Sequence, residues 1–245
     1  MQKQKQAHSL KGMFADYRDN HFSVEILGDW GSALFYRPAG LVLAWLLVPT
    51  GITPNAVTAI GAALLPVMIA AAAFCQPGTA LAIVVSLAIV FLVLDCADGP
   101  VARATGKVSN SGYYWDAMAD LTYRGCAYMT VGYLADRIHP WPLPVNQMSC
   151  LAFAAWLALL ARLARKNLKR VTPRKVEENA GPKPAKTFTV YPFLSGMDTL
   201  FPPLVAVAYL SGLLPEYIGW IVFYSFADVV VALLEASRRF KAWPG

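Results

Sequence analysis

Four aspartates at set spacings are the part of this chain best suited to chemistry. Residues 95–120 read DCADGPVARATGKVSNSGYYWDAMAD and hold Asp95, Asp98, Asp116 and Asp120. Asp95 and Asp98 share one face of a helix, and Asp116 and Asp120 share a face of the next. The turn residues between them, ATGKVSNS, make the two helices antiparallel, so the acidic faces can meet. Gly99, Ala102 and Gly112 are small and let a helix or a ligand approach closely. Four carboxylates without a counter-charge repel one another, and a divalent cation removes that repulsion. An all-oxygen donor set favours Mg²⁺, Mn²⁺ or Ca²⁺ over zinc. Four carboxylates suffice for two ions, and a two-metal site suits in-line displacement at phosphorus. Arg103, one turn beyond Asp98 and Gly99, is placed to bind a phosphate in the same pocket. The bland alternative is a wet helix end whose acids pair with Arg103 and Lys107. An EF-hand is excluded, because the D-x-D-x-D-G order is missing.

The flanks of this stretch show what must position it. TALAIVVSLAIVFLVL precedes it without a charge, and LTYRGCAYMTVGYL follows with Arg124 alone. The chain has 245 residues, 57% hydrophobic and 15% charged, against roughly 25% charged in soluble domains. The expected fold class is therefore all-α, a polytopic membrane protein of six transmembrane helices. Carboxylates at the ends of such spans are functional candidates by default.

Residues 1–50 read as a cytoplasmic N-terminal and interfacial segment, and 51–245 as the six-span domain. Arg37 to Val48 is too short to cross a ~30 Å hydrocarbon core, so it is expected to lie at the interface. The spans are expected near 57–75, 80–104, 112–134, 145–168, 192–214 and 217–238. Residues 169–188, rich in Lys, Pro and Glu, read as a cytoplasmic loop. The net charge of +6 is concentrated at the N-terminal lysines, at Arg103 and Lys107, in RLARKNLKRVTPRK and in the C-terminal RRFK. By the positive-inside rule both termini and the acidic stretch face the cytoplasm. Such clusters beside apolar spans meet lipid headgroups, and no nucleic-acid partner is expected. Cys75, Cys96, Cys126 and Cys150 have no metal or redox spacing.

The stretch fits D-x2-D-G-x2-A-R-x8-G-x3-D-x3-D at every fixed position. In this it resembles the CDP-alcohol phosphotransferase family of membrane enzymes, and the ITPNAVT turn resembles the family as well. The resemblance implies transfer of a substituted phosphate from a CDP-linked donor, usually CDP-diacylglycerol, to an alcohol acceptor, with release of CMP, in phospholipid biosynthesis. It implies two Mg²⁺ or Mn²⁺ ions at Asp95, Asp98, Asp116 and Asp120, with Asp120 also the general base. Gly99, Ala102 and Arg103 would line the cytidine nucleotide, with Ser109 and Asn55 also in contact. It further implies a homodimer, and the expected location is a bacterial inner membrane.

The acceptor stays open at this stage, since no basic signature of an inositol-phosphate enzyme is present. Arg124, one turn past Asp120, is a candidate for an anionic group on acceptor or donor, or else an ion-pair partner of Asp120 or Asp98. Arg162, with Arg165 and Lys166, is a candidate anion pocket or a topology signal. Asp198 and Asp228 are further acids that line the cavity or cap a helix, and Trp115 is placed to narrow it. Two other functions remain alternatives. A Mg²⁺-dependent prenyltransferase also uses paired Asp-rich motifs, though on distant helices. A divalent-cation transporter would need the acids but not Arg103.

Overall fold

The computed structural model describes residues 9–142, 144–171 and 197–241, which are helical apart from short connections. The expected cytoplasmic loop lies outside the described residues from position 172 onward. The helices are α1 (Leu10–Tyr17), α2 (Arg37–Leu47), α3 (Pro54–Phe74), α4 (Pro77–Thr105), α5 (Asn110–Ile138), α6 (Gln147–Val171), α7 (Phe201–Leu210) and α8 (Leu214–Lys241). Among the described residues there is no strand.

Local chemistry sets the helix ends. Ser9 caps α1 by accepting from the Gly12 amide at 3.0 Å. Thr53 caps α3 by accepting from the Ala56 amide at 3.2 Å, and Pro54 follows in the first turn, where its missing N–H costs nothing. α4 stops at Gly106, whose φ of 68° is a left-handed value that glycine adopts without strain. Ser109 then starts α5, its Oγ accepting from the Gly112 amide at 3.0 Å.

Two compact units divide the chain. One takes the described residues up to Ala127 together with 197–207, and the other takes Tyr128 to 171 and Ala208 onward. In the first, α2 and α3 pack on α4. One core cluster joins Met13 and Tyr17 of α1, Leu41 and Ala44 of α2, Val57 of α3, and Leu94, Ala97 and Val101 of α4. In the second, α6 packs on α8, and Asp136 accepts from the Gln147 and Met148 amides at 2.8 and 3.0 Å, capping α6.

Five helical stretches are long and apolar enough to cross a membrane: Ser32–Thr50, Pro54–Phe74, Pro77–Thr105, Gln147–Ala164 and Leu214–Leu234. Large apolar side chains stand outward on them, with Phe74 89% and Phe223 63% exposed. Such surfaces are satisfied by lipid and not by water. The chain is an integral membrane protein. Two expectations differ in detail. The segment expected at the interface is longer than RPAGLVLAWLLV, because helical turns at Ser32–Tyr36 and Val48–Thr50 extend α2 at both ends. The expected span at 112–134 forms a long helix, α5, yet falls outside that set. Its 29 residues include Asp116, Asp120, Arg124, Asp136 and Arg137, which dilute its hydropathy. The expected span at 192–214 is described only in part, as α7 with ten residues.

Candidate active site

The acidic stretch folds as its spacing requires. α4 and α5 meet at the Gly106 turn, and Asp116 is a charged neighbour of Asp95 and Asp98. Asp120 is a charged neighbour of both Asp95 and Asp116. Asp98 is 8% exposed, and the other three are half-buried. Its Oδ2 accepts a hydrogen bond from the Thr58 hydroxyl of α3 at 2.7 Å. Carboxyl groups this close need a cation or a shared proton between them.

Beside the acids opens a cleft of about 390 Å³, lined by residues of three helices and the turn: Asn55 and Thr58 of α3, Asp98, Gly99, Ala102 and Arg103 of α4, Ser109, and Gly112 and Asp116 of α5. Every nucleotide-binding residue expected from the sequence lines this one cleft. Gly112 is small for a reason. A Cβ there would stand 3.1 Å from the Ser109 Oγ and 3.2 Å from the Asn55 Oδ1, so any side chain presses on both polar groups. Ser109 serves the fold as well, through its cap on α5. Arg103 is exposed at the rim, where its Nε lies 3.5 Å from Asp16 of α1.

Thr58, Pro54, Lys107, Val108 and Tyr113 also line the cleft without having been expected. Thr58 carried a signal. It stands three residues beyond Asn55, one turn along the same helix face.

A second, apolar groove of about 740 Å³ runs between α3 and α5. It shares Asn55 and Thr58 with the cleft and continues along Leu65, Pro66, Ile69 and Met118. Trp115, expected to narrow the cavity, stands in the wall of this groove.

The acceptor candidates are distributed over the two units. Arg124 forms an ion pair with Asp198, both within the first unit, so it pairs with neither Asp120 nor Asp98 through that contact. Their side chains are 12% and 15% exposed. Asp29 stands in the same unit, accepting from Thr199 Oγ1 at 2.6 Å and the Ser32 amide at 3.0 Å. Arg162 and Asp228 belong to α6 and α8 of the second unit. Nothing is described for the side chains of Arg165 and Lys166.

The donor chemistry fits a hard divalent cation, since the converging groups are carboxylate oxygens with a hydroxyl beside them. Among the described residues, no three acidic, histidine or cysteine side chains already stand as a metal cage.

A search of curated proteins returns no match. A family model described as CDP-alcohol phosphatidyltransferase matches residues 51–233. That range takes in α3, α4 and α5 with the whole of the cleft. With about three-quarters of its length inside the match, the chain belongs to the CDP-alcohol phosphatidyltransferase family.

Proposed function

We propose that the protein transfers a phosphatidyl group from CDP-diacylglycerol to an alcohol, releasing CMP. The observation that carries this is a pair of neighbouring cavities that share two wall residues. A cleft walled by Arg103, Asp98 and Asp116 shares Asn55 and Thr58 with an apolar groove along α3 and α5. A donor with a nucleotide head and acyl tails needs both, side by side. In this reading Arg103 binds the pyrophosphate through charge-assisted hydrogen bonds. Asn55, Gly99, Ala102 and Ser109 surround the cytidine nucleotide, and Thr58 keeps Asp98 in place. The acceptor oxygen bonds to the phosphorus that carries the lipid, the pyrophosphate P–O bond breaks, and CMP leaves. Asp120 takes the acceptor's hydroxyl proton.

Asp95, Asp98, Asp116 and Asp120 would hold two Mg²⁺ or Mn²⁺ ions. When bound, such ions neutralise the charge that builds on the leaving nucleotide and acidify the acceptor hydroxyl. Arg124 and Asp198 are proposed to border the acceptor, and Arg162 is proposed as an anion-binding residue of the second unit. Membership of the family motivates a homodimer.

The proposed topology has six crossings, with α2 at the interface and both termini and the site on the cytoplasmic side of a bacterial inner membrane. Supporting this, Leu41 and Ala44 of α2 cluster with Leu94, Ala97 and Val101. These lie in the acid-bearing third of α4, so α2 flanks the end of that helix and not its full length.

The test uses purified protein with CDP-diacylglycerol, Mg²⁺ or Mn²⁺, and a panel of glycerol phosphate, serine, inositol phosphate and choline. CMP release with one acceptor, abolished by Asp120→Asn, is the expected result. Cation flux in vesicles without CMP release from any acceptor would overturn it in favour of a transporter.

A further inference from the structure

The helix that carries the first two aspartates has a gap in its backbone bonding, and a residue outside the family match fills it. Pro100 stands inside α4. Proline has no backbone N–H, so the helical bond from position 100 to the Cys96 carbonyl is absent. Cys96 lies between Asp95 and Asp98 and is 4% exposed. A buried carbonyl needs a donor from somewhere. Arg37 Nη1 donates to the Cys96 oxygen at 3.2 Å.

The guanidinium is held in that pose by Glu25. Arg37 Nη2 donates to Glu25 Oε1 at 2.6 Å, and Nε reaches Oε1 and Oε2 at 3.1 and 3.2 Å. The planar fork thus has two edges in use, one on Glu25 and one on the α4 backbone. Two more contacts fall on the same residue. Ser32 Oγ lies 3.5 Å from Cys96 Sγ. A Cβ on Gly40 would stand 2.6 Å from the Cys96 Cβ, so α2 and α4 touch there at close range. The segment from Glu25 to Gly40 therefore converges on the turn that joins two of the four acids.

We propose that Arg37 is a positioning residue, whose guanidinium replaces the backbone donor that Pro100 removes and so fixes the turn bearing Asp95 and Asp98. Glu25 sets the pose of Arg37. Thr58 holds Asp98 from the opposite helix, and Arg37 holds the backbone beneath it. The kinetic arm of the test rests on the proposed transferase reading, and the exchange arm does not.

Arg37→Lys keeps a cation for Glu25 but removes the fork that reaches Cys96. It is expected to lower kcat about tenfold, the scale of one buried hydrogen bond, with little change in KM for the nucleotide donor. Amide hydrogen exchange in 96–104 is expected to quicken. Pro100→Ala supplies the missing N–H. Alone it is expected to behave as wild type, and combined with Arg37→Lys it is expected to restore both turnover and protection. Equal losses from Arg37→Lys with and without Pro100→Ala, or no loss in either background, overturn the proposal. If Arg37→Lys does not fold, Glu25→Gln, which frees the guanidinium, is measured in the same two backgrounds with the same criteria. Restored protection in a protein that releases no CMP would leave the positioning role standing and remove the transferase reading alone.

Discussion

Thr58 offers the sharpest test of how the acids are held. Its Oγ1 has a single proton and two acceptors in range, Asp98 Oδ2 at 2.7 Å and the Pro54 carbonyl at 3.3 Å. The shorter, charged acceptor takes it. Thr58→Val keeps the side-chain shape and removes the donor, so Asp98 loses the hydroxyl partner that orients it. A hydrogen bond to a charged group contributes about 1.5–3 kcal/mol. At about 1.36 kcal/mol per factor of ten, kcat/KM should fall roughly 10- to 150-fold. The lower end is expected, because Thr58 is half-buried and the cleft admits water. Thr58→Ser keeps the hydroxyl and should stay within about threefold of wild type. The assay is CMP release at saturating acceptor, with the melting temperature of each variant measured alongside. Valine within about twofold of wild type, or serine as impaired as valine, would refute the assignment.

Two further perturbations read other parts of the first unit. Arg124→Leu takes from Asp198, 15% exposed, the cation paired with it and should cost about 3–5 kcal/mol in unfolding experiments in detergent, most of it regained in Arg124→Leu/Asp198→Leu. Equal stability of the single and double variants contradicts the buried pair, and an unchanged acceptor KM in Arg124→Leu removes that residue from the acceptor site. Asp29, outside the spans, is raised by burial above its ordinary 3.8 despite its bonds from Thr199 and Ser32. Its folded state therefore holds the proton more tightly than the unfolded chain does. That contribution to stability is full below the unfolded value and is lost as pH rises through the folded one. Melting temperature should decline over that window, and Asp29→Asn should flatten the decline; an identical profile in the variant counts against it.

Much of the site was readable because it is local. The i, i+3 and i, i+4 spacings of the acids place them on helix faces whatever the rest of the fold does. The turn before Asn110 likewise follows from Gly106 and Ser109, whose positive φ and cap act within a few residues. The ends of the apolar segments were less readable. The charges on α5 lower its hydropathy without shortening it, and α2 gains turns at both ends from SALFY and VPT, which carry no strong helix signal.

The sequence by itself determined that this is a helical membrane protein whose four aspartates fall in two helix-spaced pairs, since composition and helical period act residue by residue. Only the tertiary structure decided which groups hold those aspartates. Thr58 reaches Asp98 across 40 positions and Arg37 reaches the Cys96 carbonyl across 59. Such partners are chosen by how helices pack, and packing depends on shape and burial over the whole unit, which no spacing within a single helix encodes.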